Sequence, residues 1–247
     1  MYRYKCIVKY DGYNYMGFQI QNELPTIELA LVEAIKKMLG VEVKIYASGR
    51  TDRYVHAVGQ VVHFDLDIHI PAKGIQKGIN SYLPPDIYIS DCEEVDENFH
   101  SRFSAKSKEY RYYINYKEYN PLTIRYAPNI INLDIVKMEE ALKLLVGTHD
   151  FKGFASASID PRKETIKTIY DVKLNVYDNY LEFIFIGNGF LKYQIRRMMG
   201  LIIEIGRGKE TKDMLLEVLE KKDPKISHKV ADGCGLYLYK VNYWDLT

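Results

Sequence analysis

The sequence is poor in cysteine and contains no long apolar run. Its three cysteines, Cys6, Cys92 and Cys234, are odd in number and widely spaced, and none belongs to a CxxC pair. This spacing matches no zinc-binding motif, and we expect reduced thiols. No apolar stretch approaches the roughly 18–20 residues that a membrane-spanning helix needs. The N-terminus alternates charged and apolar residues, unlike a signal peptide. We therefore expect a cytoplasmic protein with no membrane partner.

The chain also lacks an excess of charge of either sign. Its formal net charge is +1 at pH 7, which argues mildly against a nucleic-acid partner because phosphate contacts require cations. Two local clusters partly offset this, since segment 102–111 carries four cations and one acid, and segment 192–209 carries five cations and one acid. Runs of charge are usually solvated faces, so the clusters alone identify no partner.

Several signatures of enzyme classes are missing as well. The chain has neither the HExxH of zinc proteases nor the GxSxG of serine hydrolases, and no glycine-rich phosphate loop. These absences agree with a protein that needs no bound metal and no cofactor.

The composition is that of an ordinary globular protein. The 247 residues are 47% hydrophobic and 27% charged, enough for one large domain or two small ones. Tyrosine is abundant, with 22 residues. Most of them fit the role of strand formers, although a tyrosine ring can also stack on a nucleic-acid base.

Strand and helix patterns follow one another in the same order twice. Residues 2–10 alternate as a half-buried strand, Thr26 caps a helix that runs to Leu39, and Gly40 ends it. The rest of the first half is predicted as strands at 41–46, 60–66 and 87–95 and a helix at 75–82. The second half is predicted as strands at 106–116, 165–176, 180–187 and 236–243, a helix capped by Asp134, and helices at 191–206 and 214–219.

This repeated order predicts the fold class. We expect an α+β protein with two tandem split-βαβ, ferredoxin-like halves, 1–104 and 105–247. Together they would form a mixed, mostly antiparallel sheet with helices on one face. Two such sheets side by side would leave a cleft, a common place for a functional site.

The stretch ASGRTDRYVHA, residues 47–57, lies between two of the predicted strands. Glycine tolerates positive φ, and Asp or Thr can bond to nearby backbone, so the stretch suits a tight turn. One interpretation is a plain loop with a surface salt bridge between Arg50 and Asp52. The other is a carboxylate held beside a cation and ready to act as base or nucleophile.

The same stretch resembles GRTDAGVHA, the signature of the tRNA pseudouridine synthase A family. It departs from that signature at Arg53 and Tyr54, where the family usually has Ala-Gly. The segments FHSRFSA, SKEYRYYI and NGFLKYQIRRMMG resemble further family motifs, and family-like segments run from Tyr10 to Tyr243.

The resemblance implies a pseudouridine synthase fold and a specific reaction. The enzyme would isomerise uridine to pseudouridine in the anticodon stem-loop of tRNA, as a homodimer and without a cofactor. Asp52 would be the catalytic nucleophile, Tyr110 would stack on the target uracil, and Arg196 would pair with Asp52. Phosphate contacts would come from basic side chains that include Arg50, Arg53, Arg102, Lys192 and Arg197.

Other interpretations stay open on the residues alone. Tyr110 fits ordinary cross-strand packing, and Arg196, beside the apolar stripe of its helix, either stays solvated or meets a buried acid. The enzyme could act on a different uridine or RNA, and a non-catalytic RNA-binding module would not need Asp52. A metal-dependent phosphatase or nuclease would need more acids near Asp52. The candidates in the flanking sequence are Glu42, Asp65 and Asp67.

Overall fold

A computed structural model of the chain describes residues 1–22, 24–160, 162–226 and 229–244. The chain forms two compact units, one comprising residues 1–106 and those from 237 onward, the other residues 107–236. The division into halves at 1–104 and 105–247 stays a prediction. The C-terminal strand pairs in parallel with a strand of the N-terminal segment.

The first unit is an open sheet with two helices. Its elements are β1 (Tyr2–Tyr10), α1 (Ile27–Leu39), β2 (Tyr46–Ala47), β3 (His56–Leu66), α2 (Ala72–Asn80), β4 (Ile87–Val95) and β9 (Leu236–Asn242). The strand order is β4-β1-β3-β9, and β2 pairs with β3. Only the β3–β9 pair among these is parallel.

Local sequence signals account for the first strand and helix. Along β1 the alternate residues Tyr4, Cys6, Val8 and Tyr10 are buried, as the predicted alternation requires. The Thr26 hydroxyl accepts a hydrogen bond from the Leu29 N–H over 3.3 Å and caps α1. Gly40 ends the helix at φ +71°, the left-handed region in which glycine is least strained. Both predicted helix ends are confirmed.

Two cysteines that are remote in sequence face each other in this sheet. Cys6 of β1 and Cys92 of β4 are cross-strand partners with Cα atoms 4.1 Å apart, and they form a disulfide. The expectation of three reduced thiols is therefore wrong for this pair, because strand pairing brings together residues 86 positions apart. Cys234 remains a free thiol, and burial raises its pKa to about 11.

Three predicted elements of this unit differ from the structure. The predicted strand at 41–46 is wrong except at Tyr46, since β2 contains two residues only. β3 starts at His56 rather than at 60 because His56 and Ala57 pair with Tyr237 and Leu238 of β9. The helix predicted at 75–82 spans Ala72–Asn80 and starts directly after Pro71.

The second unit has its own sheet and three α-helices. Its elements are β5 (Ser107–Asn115), α3 (Ile135–Lys143), β6 (Gly147–Asp150), a short 3₁₀ helix (Phe151–Phe154), β7 (Ile166–Val176), β8 (Tyr180–Gly187), α4 (Gln194–Gly206), α5 (Lys212–Lys221) and a 3₁₀ turn (Gly233–Gly235). The strand order is β5-β8-β7-β6, antiparallel throughout. The α+β class with mostly antiparallel strands is confirmed.

Apolar residues of β5 and β8 form part of the core of this unit. Tyr112 and Ile114 alternate along β5 and lie opposite Phe183 and Leu181 of β8, all fully buried. β6 and the 3₁₀ helix after it were not predicted, because four-residue elements carry little periodic signal. Within the ranges described above, no helix combines the length and apolarity that crossing a bilayer requires.

Candidate active site

Asp52 opens a tight turn within the loop between β2 and β3. The Val55 N–H donates to the Asp52 carbonyl over 3.2 Å and closes the turn around Arg53 and Tyr54. Thr51 and Val55 are buried on either side, whereas Asp52 is half-buried. The backbone on both sides of the carboxylate is therefore anchored while the residue itself retains access to solvent.

Polar side chains of β1 and β3 hold the start of this loop. The hydroxyls of Tyr10 and Thr51 share a hydrogen bond of 2.8 Å. The Gln60 amide donates to the Gly49 carbonyl over 2.7 Å, and the Ser48 N–H donates to the Val61 carbonyl over 2.8 Å. These contacts fix the loop on both sides of Arg50, whose side chain is exposed.

The loop after β1 packs directly on the turn. The Phe18 N–H donates to the Thr51 carbonyl over 3.0 Å. Gly17, at φ +98°, allows this approach, because a Cβ there would lie 2.8 Å from the Thr51 carbonyl oxygen. At Gly12 a Cβ would lie 2.0 Å from the Val55 carbonyl oxygen. The two glycines thus let backbone meet backbone on both sides of Asp52.

His56, the last polar residue of the motif, is buried and structural in its contacts. Its ring stacks on Tyr237 of β9 with centroids 4.7 Å apart. Its Nδ1 lies 3.1 Å from both the Gly12 N–H and the Asp11 carboxylate. A backbone N–H can only donate, so Nδ1 accepts from Gly12.

Arg102, another predicted phosphate contact of this unit, lies in the segment after β4. Its backbone N–H donates to His100 Nδ1 over 3.1 Å, and its guanidinium lies 5.6 Å from the centroid of the Phe103 ring. Arg102 and Phe103 are both exposed. An exposed cation beside an exposed ring suits contact with a nucleic acid.

Tyr110 lies in β5 of the second unit. It pairs with Phe185 of β8, and its ring meets Phe190 edge-on with centroids 5.3 Å apart. It is 8% exposed. These contacts agree with the packing interpretation, and they also hold the ring in one orientation.

Arg196 in α4 is half-buried and oriented by backbone. Its Nε donates to the Ala231 carbonyl over 2.8 Å, and the Ala231 N–H donates back to the Arg196 carbonyl over 2.9 Å. Its guanidinium lies 5.3 Å from the centroid of the Tyr193 ring. Gly200 lets the backbone of residues 229–231 pack closely against α4, because a Cβ at Gly200 would lie 2.4 Å from the Lys229 carbonyl oxygen. Arg196 is thus positioned rather than freely solvated.

Arg197 is used differently from its neighbour. Its Nη1 donates to the Pro224 carbonyl over 2.5 Å, and burial lowers the pKa of its guanidinium. The suggested role of Arg197 as a phosphate contact stays a prediction.

Two of the three acids proposed for a metal-dependent alternative, Asp65 and Glu42, form ion pairs with other residues. Asp65 forms a two-pronged ion pair with Arg3, with distances of 2.7 and 2.8 Å, and this hydrogen bonding lowers the pKa of Asp65. Glu42 pairs with Lys36 over 2.6 Å. Over the parts of the chain that the structure describes, no three His, Cys, Asp or Glu side chains cluster closely enough to hold a metal ion.

The sequence-predicted residues fall into two groups. Asp52 and Arg50 share one loop of the first unit. Arg102 belongs to another segment of the same unit, and Tyr110 and Arg196 belong to the second unit. Sequence reasoning missed three residues that hold these groups in place, namely Tyr10, Gln60 and Ala231. Ala231 contacts Arg196 through backbone atoms, and such a contact cannot be recognised from the residue type in the sequence. Gln60 is fully buried, a property that only the folded chain shows, and a buried amide needs hydrogen-bond partners.

Comparison with known proteins identifies the family of the chain. A family model described as tRNA pseudouridine synthase matches residues 6–104 and 141–244. Proteins named tRNA pseudouridine synthase A from Exiguobacterium sp. and Geobacillus sp. are 41% and 42% identical over 244 residues, covering 98% of this chain and 98% of each relative. A solved Cbf5–Nop10–Gar1 complex aligns with 81% of this chain and 54% of its own at 13% identity and a TM-score of 0.36, from which we draw nothing. The matches cover both the Asp52 loop and the Arg196 helix, and the chain belongs to the tRNA pseudouridine synthase family.

Proposed function

We propose that this protein isomerises uridine to pseudouridine in the anticodon stem-loop of tRNA, with Asp52 as the nucleophile. The observation that carries the proposal is the anchored turn at Asp52. Its flanking residues are held by backbone and side-chain hydrogen bonds, while the carboxylate-bearing residue stays partly accessible. A positioned carboxylate with access to substrate is what covalent catalysis requires.

The reaction moves one bond without net oxidation. The bond from C1′ to N1 of uracil breaks, the base turns, and a bond from C1′ to C5 forms. C5 loses its proton and N1 gains one, so atoms and electrons balance within the substrate. The ionised carboxylate of Asp52 would attack the substrate and leave again at the end of the cycle.

The remaining predicted residues have supporting roles in this proposal. We assign Arg196 as the cation that keeps Asp52 ionised, since a neighbouring guanidinium favours the charged form of a carboxylate. Tyr110 would stack on the uracil once the base has left its helical stack. Arg50 and Arg102, both exposed, would bind RNA phosphates.

The test is product formation by matched variants. Unmodified tRNA made by transcription is incubated with protein, and pseudouridine is mapped by carbodiimide labelling and primer extension. We expect Asp52→Asn to lose about 10³-fold or more in rate, as is usual when a nucleophile is removed. Asp67→Asn makes the same change at an exposed acid at the end of β3 and should keep full activity. Undiminished product from Asp52→Asn would exclude Asp52 as the nucleophile.

The same experiment separates an isomerase from an RNA-binding module. A binding module would retain tRNA yet leave every uridine unchanged. Primer extension across the whole tRNA also shows which uridine reacts, so modification outside the anticodon stem-loop would correct the proposed substrate position.

We also propose that the active protein is a cytoplasmic homodimer. Sedimentation equilibrium should give about twice the chain mass of 28.8 kDa, and cell fractionation should find the protein with other cytoplasmic enzymes. A monomer mass at concentrations where the enzyme is active would refute the dimer.

A further inference from the structure

Tyr54 has a backbone conformation that its side chain does not favour. It lies at φ +67°, the third residue of the turn that the Val55 N–H closes on the Asp52 carbonyl. Positive φ at this position of a turn normally selects glycine, and glycine is what the family signature has there. This chain has a strained tyrosine two residues from Asp52. Strain near a functional site suggests that the side chain has a role there.

The ring of Tyr54 makes two contacts at the surface. The guanidinium carbon of Arg53 lies 4.4 Å from its centroid, and the ring of Tyr13 lies 5.5 Å away at an interplanar angle of 39°. A guanidinium over an aromatic face is attracted by the ring electrons and restricted in its rotamers. Arg53 and Tyr13 are both exposed, so the three side chains form an ordered cationic group at the protein surface.

Tyr13 is itself held in place. Its backbone N–H donates to the Asp11 carboxylate over 2.9 Å. The adjacent Gly12 packs against the Val55 carbonyl so closely that a Cβ would lie 2.0 Å from it. The support for Arg53 therefore comes from two loops whose backbones are in contact.

We propose that Tyr54 and Tyr13 hold Arg53 as a contact for the RNA backbone beside the nucleotide that reacts at Asp52, an inference that rests on the proposed function. Consecutive Cα atoms are about 3.8 Å apart, so a cation on the residue after Asp52 reaches the phosphates nearest the target. A guanidinium binds phosphate oxygens with two parallel hydrogen bonds. Holding it beforehand lowers the entropic cost of binding.

The rival explanation is that Tyr54 only packs against its neighbours. The Tyr54→Gly variant distinguishes the packing role from the positioning role, because it relieves the strain of the positive φ and removes the ring. If Tyr54 is only packing, Tyr54→Gly keeps wild-type affinity for tRNA. If Tyr54 positions Arg53, the variant folds as well as the wild type and binds tRNA more weakly.

The experiment measures Kd for unmodified tRNA by filter binding at several salt concentrations, together with KM, kcat and Tm. For Tyr54→Gly we expect Tm within about 2 °C of wild type, Kd and KM raised about 5–10-fold, and kcat within about twofold, since only ground-state binding is lost. Tyr54→Phe keeps the ring and should restore wild-type Kd. Arg53→Ala should weaken binding and reduce the slope of log K against log salt by about 1.

Lys222→Gly is the matched control. Lys222 also has positive φ, at +54°, but caps the C-terminus of α5 in the second unit. Glycine there should leave Kd and kcat unchanged. Wild-type Kd for Tyr54→Gly, or an unaltered salt slope for Arg53→Ala, would overturn the inference. Kd is measured in an Asp52→Asn background, in which no turnover is expected, so its result stands apart from that of the proposed function, which fails if wild-type protein makes no pseudouridine.

Discussion

The hydroxyl oxygens of Tyr10 and Thr51 lie 2.8 Å apart in the core of the first unit. Tyr10 is the last residue of β1, and Thr51 directly precedes Asp52. The Gln60 amide of β3 donates to the Tyr10 hydroxyl over 3.4 Å and to the Gly49 carbonyl over 2.7 Å. Two strands of the sheet thus hold the loop that carries the candidate nucleophile, β1 through the Tyr10 hydroxyl and β3 through the Gln60 amide.

Tyr10→Phe removes that hydroxyl and nothing else. We expect it to lower the free energy of unfolding by about 1–2 kcal/mol, because Thr51 and Gln60 each lose a buried partner. We also expect kcat to fall about tenfold, since a small shift of the loop misplaces Asp52. Urea unfolding and steady-state kinetics on tRNA would measure the two effects.

Tyr4→Phe is the control on the same strand. The Tyr4 hydroxyl donates to the Ile70 carbonyl over 2.8 Å and accepts from the Ile70 N–H over 2.9 Å, away from the Asp52 loop. A comparable loss of stability with unchanged kcat is expected. Equal loss of kcat in both variants would show that the Tyr10 contact has no special effect on the loop.

Gly12→Ala tests the contact between the two loops around Asp52. The added methyl group would lie 2.0 Å from the Val55 carbonyl oxygen, so backbone must move. We expect stability to fall by about 1–3 kcal/mol and kcat/KM to fall at least tenfold. In Gly74→Ala, on α2, the methyl group meets the Cγ2 of Ile70 at 3.3 Å, and stability should hold or rise by up to about 1 kcal/mol. Gly12→Ala with near wild-type kcat/KM would show that the loop spacing is not critical.

Elements with strong local signals could be predicted from the sequence. The bounds of β1, β4 and β8 agree with prediction because alternation and turn residues mark both ends. The start of β3 at His56 could not be predicted, because it depends on pairing with β9, about 180 positions later in the chain. The cross-strand partnership of Cys6 and Cys92 was missed for the same reason, since register is a tertiary property.

The candidate site shows the same division. The motif located Asp52 and indicated a turn, and the structure confirms the turn. The bond from Arg196 Nε to the Ala231 carbonyl could not be anticipated, because a backbone carbonyl has no residue-specific signal in the sequence. The sequence shows the departure from the signature at Arg53 and Tyr54, but its physical consequence, the positive φ of Tyr54, is visible only in the structure.

Glu182 of β8 is the acid at the centre of a buried network in the second unit. Its Oε1 accepts from Arg111 and Tyr113 over 2.8 Å each, and its Oε2 accepts from Asn175 over 2.8 Å. It is 4% exposed. Burial acts to raise the pKa of Glu182, but the three hydrogen bonds outweigh it and leave the pKa lowered.

Glu182→Gln should therefore destabilise the protein by about 2–3 kcal/mol at pH 7, since it removes a buried charge from its partners. Because the folded-state pKa is lowered, the wild-type contribution is present above the unfolded pKa of about 4.3 and is lost as pH falls below it. Urea unfolding at pH 7 and at pH 3 checks both statements, and the variant should differ less from wild type at pH 3. Glu93→Gln is the control, because Glu93 forms an ion pair with Lys5 but is 55% exposed, and it should change stability by less than about 0.5 kcal/mol.

His63 of β3 should make the first unit less stable in mild acid. Its ring is 1% exposed, and its Nδ1 accepts a hydrogen bond from the Ser101 N–H over 3.2 Å. Burial lowers its pKa to about 4, and the nearby His100 and Arg3 act in the same direction while Asp65 opposes them. The unfolded chain, with a histidine pKa of about 6.5, binds a proton that the folded chain excludes. The free energy of unfolding is therefore not reduced by His63 above about pH 6.5, and it declines as the pH falls towards 4.

The pH dependence of stability in wild type and in a His63 variant shows how much of this loss is due to His63. We expect a loss on the order of 2 kcal/mol between pH 6.5 and 4 from His63, measured by urea unfolding at half-unit pH steps. In His63→Asn the amide oxygen takes the place of Nδ1 as acceptor for Ser101 but does not titrate. The variant should therefore show a flatter pH dependence over this window, with the remaining slope due to His100, whose pKa burial also lowers, and to the carboxylates. An unchanged pH dependence in His63→Asn would show that His63 is protonated in the folded protein as easily as in the unfolded chain.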